Sequence, residues 1–83
     1  TDGTPRRLKF AFREQREFDT IDDDIAALEA QIAACDAEIA RNASDYVKLQ
    51  ALTEDKGRLE AELDRKMERW VYLTELKEKI DAQ

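Results

Sequence analysis

Apolar residues recur along the chain at helical spacing, in two blocks. In the first, Phe18, Ile21, Ile25, Leu28, Ile32, Cys35 and Ile39 are separated alternately by three and four positions. That is the apolar seam of a coiled coil, sustained for three heptads. A strand would alternate every second residue, and this segment does not. The spacing predicts helix 1 over about residues 13–41. The pattern breaks at Arg41-Asn42-Ala43-Ser44-Asp45. There Ser44 or Asp45 offers a side-chain oxygen to cap a second helix. The second block predicts helix 2 over about 46–80, with a loop at 42–45. Its seam is Leu49, Leu52, Lys56, Leu59, Leu63, Lys66, Trp70, Leu73, Lys77 and Ile80. Three of these are lysines; Met67 and Leu76, beside two of them, are candidates for the inward role. Gly57, in mid-helix, costs about 1 kcal/mol relative to alanine. It marks either a close approach or bend, or a tolerated weak point.

A loop this short makes consecutive helices antiparallel. Partners across such a hairpin have a constant sum of residue numbers. Ile39 with Leu49, Cys35 with Leu52, Leu28 with Leu59, Ile25 with Leu63 and Phe18 with Trp70 all give 87 or 88. Ile32 alone meets a lysine, Lys56, whose stem can cover it while the ammonium reaches water. Helix 2 overshoots helix 1, and the same register sets Leu73, Leu76 and Ile80 beside residues 8–15. Leu8, Phe10 and Phe12 lie there. The expected architecture is therefore all-α. It is an antiparallel two-helix coiled-coil hairpin with the N-terminal segment folded back on the end of helix 2, closing an aromatic cluster with Trp70. Its arms are about 40–50 Å long at 1.5 Å per residue. Residues 1–7 are read as linker and 8–83 as the hairpin domain. A monomer is expected, because the seam lysines would be costly in a two-chain interface.

Composition agrees with long helices. Ala, Glu, Lys, Leu and Arg make up 44 of the 83 residues, all strong helix formers. The chain has no histidine, one cysteine and two glycines far apart. These counts exclude histidine acid–base chemistry, an internal disulfide, a multi-cysteine zinc site and a phosphate-cradling glycine loop. The chain is not expected to be an enzyme. One unpaired thiol fits a reducing cytoplasm, and no export signal or membrane span is expected.

Charge alters the picture further. The net charge is −6, but it is unevenly placed. Residues 1–17 and 69–83, the open end of the hairpin, carry eight basic and six acidic groups, net +2. Residues 18–68, toward the loop, carry six basic and fourteen acidic groups, net −8. An anionic partner is expected to meet the open end.

The segment Phe10-Ala11-Phe12-Arg13-Glu14-Gln15-Arg16-Glu17 resembles the Leu-Ser-Tyr-Lys-Glu-Gln-Arg-Glu signature that opens the C-terminal domain of ABC-F ATPases, notably the Uup branch. The similarity extends through Ile25-Ala26-Ala27-Leu28-Glu29, Asp45-Tyr46-Val47-Lys48-Leu49 and Met67-Glu68-Arg69-Trp70-Val71-Tyr72-Leu73. Ala11 stands where that family commonly has serine, which removes a natural helix cap. The resemblance implies a soluble cytoplasmic parent with two ATP-binding cassettes and no membrane domain. The resemblance further implies that the parent would act on the ribosome and, as in the Uup branch, be associated with DNA binding through this C-terminal coiled coil. ATP and Mg²⁺ would then belong to the parent, with no cofactor in this chain.

The expected nucleic-acid-binding residues are Arg6, Arg7, Lys9, Arg13 and Arg16, joined across the hairpin by Arg69, Lys77 and Lys79. The target is DNA or ribosomal RNA. The other reading of this basic segment is a solvated linker and helix start. On that reading the domain is a protein-interaction coiled coil that positions the parent's cassettes or self-associates. Trp70, Phe10 and Phe12 are read as a packed cluster rather than as base-stacking rings, Cys35 as a small buried apolar residue, and Asp22-Asp23-Asp24 as a solvated acidic face.

Overall fold

The computed structural model describes residues 7–83. After an extended stretch, α1 spans Phe12–Arg41 and α2 spans Tyr46–Asp81, and the two pack side by side as an α-hairpin. Its cross-section, 17 × 16 Å, is that of one helix pair. Of the linker read over residues 1–7, residues 1–6 lie outside the described residues.

Local chemistry fixes each helix end. At the start of α1, Ala11 has no side-chain oxygen to cap with; instead its own N–H donates to Glu14 Oε1 at 2.9 Å. This is half of a reciprocal capping box, so a helix lacking serine at that point still starts at Phe12. α1 ends at Asn42, whose backbone N–H donates to the Glu38 and Ile39 carbonyls. Its side-chain Nδ2 donates to the Glu38 carbonyl at 2.8 Å. Of the two capping candidates for α2, Asp45 serves: its carboxylate accepts the Lys48 N–H at 3.2 Å, and its charge sits favourably at a helix N-terminus.

The register read from the sequence is present. Cys35, buried on α1, has its Sγ 3.2 Å from the Leu52 carbonyl on α2, the expected rung. Lys56 and Lys66, two of the three seam lysines, are half-buried and turn their ammonium groups to acids of α1. Lys56 Nζ lies 2.6 Å from Asp36 and Lys66 Nζ 3.2 Å from Asp24. A seam lysine thus covers apolar surface with its stem and pairs at its tip. Asp36 holds the Lys56 ammonium above its ordinary pKa through this hydrogen bond.

A single helix pair cannot bury much. Among the described residues only Ile21 (1% exposed), Cys35 (8%) and Leu73 (0%) are buried; the remaining seam leucines and isoleucines are half-buried. The fold-back is present: the Gln83 side chain reaches Leu8, its Nε2 donating to the Leu8 carbonyl at 2.7 Å and its Oε1 accepting the Leu8 N–H. The aromatic cluster, however, differs from expectation. Phe10 meets Phe18 with ring centroids 5.2 Å apart, on the rung expected to hold Trp70. Trp70 (40% exposed), Phe12 (76%) and Leu8 lie at the surface. Met67 is also exposed, and of the two substitutes proposed for the seam lysines only Leu76 turns partly inward.

Gly57 faces open space. Its φ is negative, and a Cβ built there meets nothing within 4 Å. The close approach considered for it does not exist, and it is a tolerated weak point.

Candidate nucleic-acid interface

The open end gathers three pieces of chain: the extended residues 7–11, the first turns of α1 and the last turns of α2. Arg7 and Lys9 come from the extended piece, Arg13 and Arg16 from α1, and Arg69, Lys77 and Lys79 from α2. Arg6 lies outside the described residues.

The structure separates these cations into two kinds. Arg69 forms a fork with Glu17 across the hairpin, Nε to Oε2 at 2.8 Å and Nη2 to Oε1 at 2.7 Å. Its guanidinium also lies 4.8 Å from the Tyr72 ring centroid. The Glu17 hydrogen bonds hold the arginine above its usual pKa, and the same bonds hold the Glu17 carboxyl below its own. Lys77 pairs with Asp81 one turn on, at 2.8 Å. By contrast, Arg7, Lys9, Arg13, Arg16 and Lys79 have no acidic partner among the described residues. Arg16 instead lies over the Phe12 ring, 5.7 Å from its centroid, a cation–π contact.

Of the nearby acids, Glu14 and Glu17 are engaged, whereas Glu75 and Glu78 of α2 are exposed and have no cationic partner among the described residues. Glu14 accepts the Ala11 N–H and, at 2.7 Å, the Tyr72 hydroxyl; these bonds, in that order, hold its carboxyl below the ordinary range. The Glu14 carboxylate in turn pushes the Tyr72 phenol up. Tyr72 carried no role in the sequence reading. Its one signal was positional, since it falls near the rung of Glu14. Arg69 thus balances the charge of Glu17, while Glu14, bound by two neutral donors, keeps its own.

Beside the cations lies an open hollow lined by Lys9, Phe10, Ala11, Phe12, Gln15, Lys77 and Ile80. It brings Lys9 and Lys77 together from opposite ends of the chain, among apolar residues. Arg69 is drawn instead to Glu17. Electrostatically this end can hold phosphates by long, mobile cations, and its exposed rings can take flat apolar groups.

These features define a charged, all-helical α-hairpin. The family model of the ABC transporter C-terminal domain matches residues 9–75, and the chain belongs to that family. It is 34% identical over 77 residues to an uncharacterized ABC transporter ATP-binding protein, YfmR, of Bacillus subtilis (strain 168). The match covers 93% of this chain and 12% of that relative, so the chain spans about an eighth of the relative's length. No solved structure matches. Among the described residues, no helix is long and apolar enough to cross a membrane.

Proposed function

We propose that this chain is the nucleic-acid-contacting C-terminal domain of a cytoplasmic, Uup-like ABC-F ATPase that works on DNA or the ribosome. The observation that carries the reading is the state of the open-end charges. Arg7, Lys9, Arg13, Arg16 and Lys79 lack acidic partners among the described residues, and Glu17 is balanced by Arg69; the exposed Glu75 and Glu78 weaken the site without neutralising it. The membership in a C-terminal domain family and the YfmR relative, an ATP-binding protein by name, support the parentage. This chain carries no glycine-rich phosphate loop. ATP and Mg²⁺ would therefore be held by cassettes elsewhere in the parent, and no step of nucleotide chemistry is assigned to these residues.

On this reading the domain tethers its parent to a polyanion. Contacts from arginine and lysine to phosphates carry no base information, so binding is sequence-tolerant. It also releases counterions, so affinity falls steeply with salt. The test is a titration with duplex DNA and structured RNA over a salt series. A steep loss of affinity with salt is expected; salt-insensitive binding, or none at low salt, would remove the proposal.

A second reading rests on Met67, Trp70 and Val71. These neighbours on one stretch of α2 are all exposed. An apolar strip of this kind also suits a protein surface, and the parent's own cassettes are the candidate. The salt series separates the two, since apolar docking is not weakened by salt.

A further inference from the structure

Phosphate contacts alone do not distinguish a duplex from a single strand. The hollow at the open end adds exposed apolar and aromatic surface to the cations. Its lining includes Phe10, Phe12 and Ile80 together with Lys9 and Lys77. Phe12 is the first residue of α1 and three-quarters exposed. It supports nothing in the hairpin's core, and Arg16 of the next turn is stacked over it. Lys77 is already partnered by Asp81, so the uncompensated charge of the lining is that of Lys9. The result is a flat aromatic surface beside an unpaired cation, with a second cation stacked on the ring.

Building on the nucleic-acid reading, we infer that the open end is selective for single-stranded nucleic acid, with one unstacked base seated against Phe12 in this hollow. Bases inside a duplex already have both faces covered by their neighbours and cannot reach the ring. A single strand can turn a base out at little cost, and stacking on an aromatic side chain repays it whatever the base. Lys9, which lines the same hollow, is the cation placed to meet the adjoining phosphate. The apolar lining accepts the base's π-face and reads no sugar hydroxyl, so DNA and RNA strands bind alike.

The experiment is an anisotropy titration of the chain at low salt against labelled oligothymidylate, oligouridylate and a mixed-sequence duplex with the same number of phosphates. The single strands are expected to bind about ten-fold tighter than the duplex, the size of one base–aromatic stack. Phe12→Ala should lose most of that preference while duplex affinity is unchanged, and Phe12→Trp should keep it. Because Phe12 is exposed, circular dichroism should show the same helicity in all three proteins. Equal affinity for duplex and single strand, or a Phe12→Ala protein with the preference intact, overturns this inference and leaves the phosphate-binding proposal standing. Absence of binding to every probe overturns both.

Discussion

The two halves of the hairpin share one seam and treat their cations in opposite ways. In the loop half, residues 18–68, five of the six basic side chains are paired with acids. Arg41 pairs with Glu38, Arg58 with Asp55 and Arg65 with Glu62 along their own helices, and Lys56 and Lys66 bridge to α1. Fourteen acids against six cations leave no positive surface there. In the open half only Arg69 and Lys77, of seven described basic residues, are so paired. The number of cations therefore says little about where a polyanion binds. What matters is how many acids stand within reach of them, and whether those acids are already engaged.

The largest expected effect falls on the open half's packing. Leu73, in the open half of α2, is fully covered. Leu73→Ala should cost about 2–5 kcal/mol, a large share of the stability of so small a domain. The half-buried Leu52 of the loop half should cost clearly less when replaced by alanine. Thermal or urea melts followed by circular dichroism give both values. Equal losses would show that the two halves are packed alike.

Next in size is the Glu17–Arg69 fork, which closes the open end. Glu17→Gln should cost at most about 1 kcal/mol, because the Arg69 side chain is 44% exposed and screened. The loss should depend on pH in a defined direction. Glu17 is held below its ordinary value of 4.5 by the Arg69 hydrogen bonds. A depressed folded-state pKa means that its contribution is complete above the unfolded value and fades as pH falls through the folded one. The gap in melting temperature between wild type and Glu17→Gln should therefore be widest near neutral pH and narrow as the pH falls below the ordinary value of 4.5. A gap that persists in acid would assign the loss to packing.

The smallest effect sharpens the picture of the loop half. Gly57→Ala should stabilise the chain by about 0.5–1 kcal/mol, since the position is helical and nothing lies within 4 Å of the added methyl. A destabilised variant would mean that a contact absent from this structure forms at Gly57.

The fold was legible because its determinants are periodic. The alternation of threes and fours in α1 and the constant sum across the loop specify two helices and their register, and the Cys35–Leu52 rung confirms the addition. Asp45 was legible as a cap for the same local reason. What failed was the fate of single large side chains. A strict heptad drifts against a helix of 3.6 residues per turn. By the end of α2 the inward positions are Leu73, Leu76 and Ile80, and Trp70 stands at the edge. Phe10 has meanwhile met Phe18, which no spacing within either helix could announce. The candidate site was legible as a basic segment, but its composition was not. Arg69 and Glu17 are 52 positions apart, so their fork is a product of the hairpin. The Lys77–Asp81 pair, four apart on one helix, could have been read from the sequence.

The most direct test of the central claim, that the open end holds the polyanion and the loop half does not, is a paired charge reversal. One protein carries Arg7→Glu, Lys9→Glu and Arg13→Glu; the other carries Lys48→Glu and Lys56→Glu. Both are titrated at low salt with the same oligonucleotide as wild type, after circular dichroism has shown equal helicity. The first is expected to lose binding and the second to bind within a few-fold of wild type, the difference expected when phosphate contacts are removed from one site alone. Equal losses in the two, or an undiminished affinity in the first, would contradict the claim.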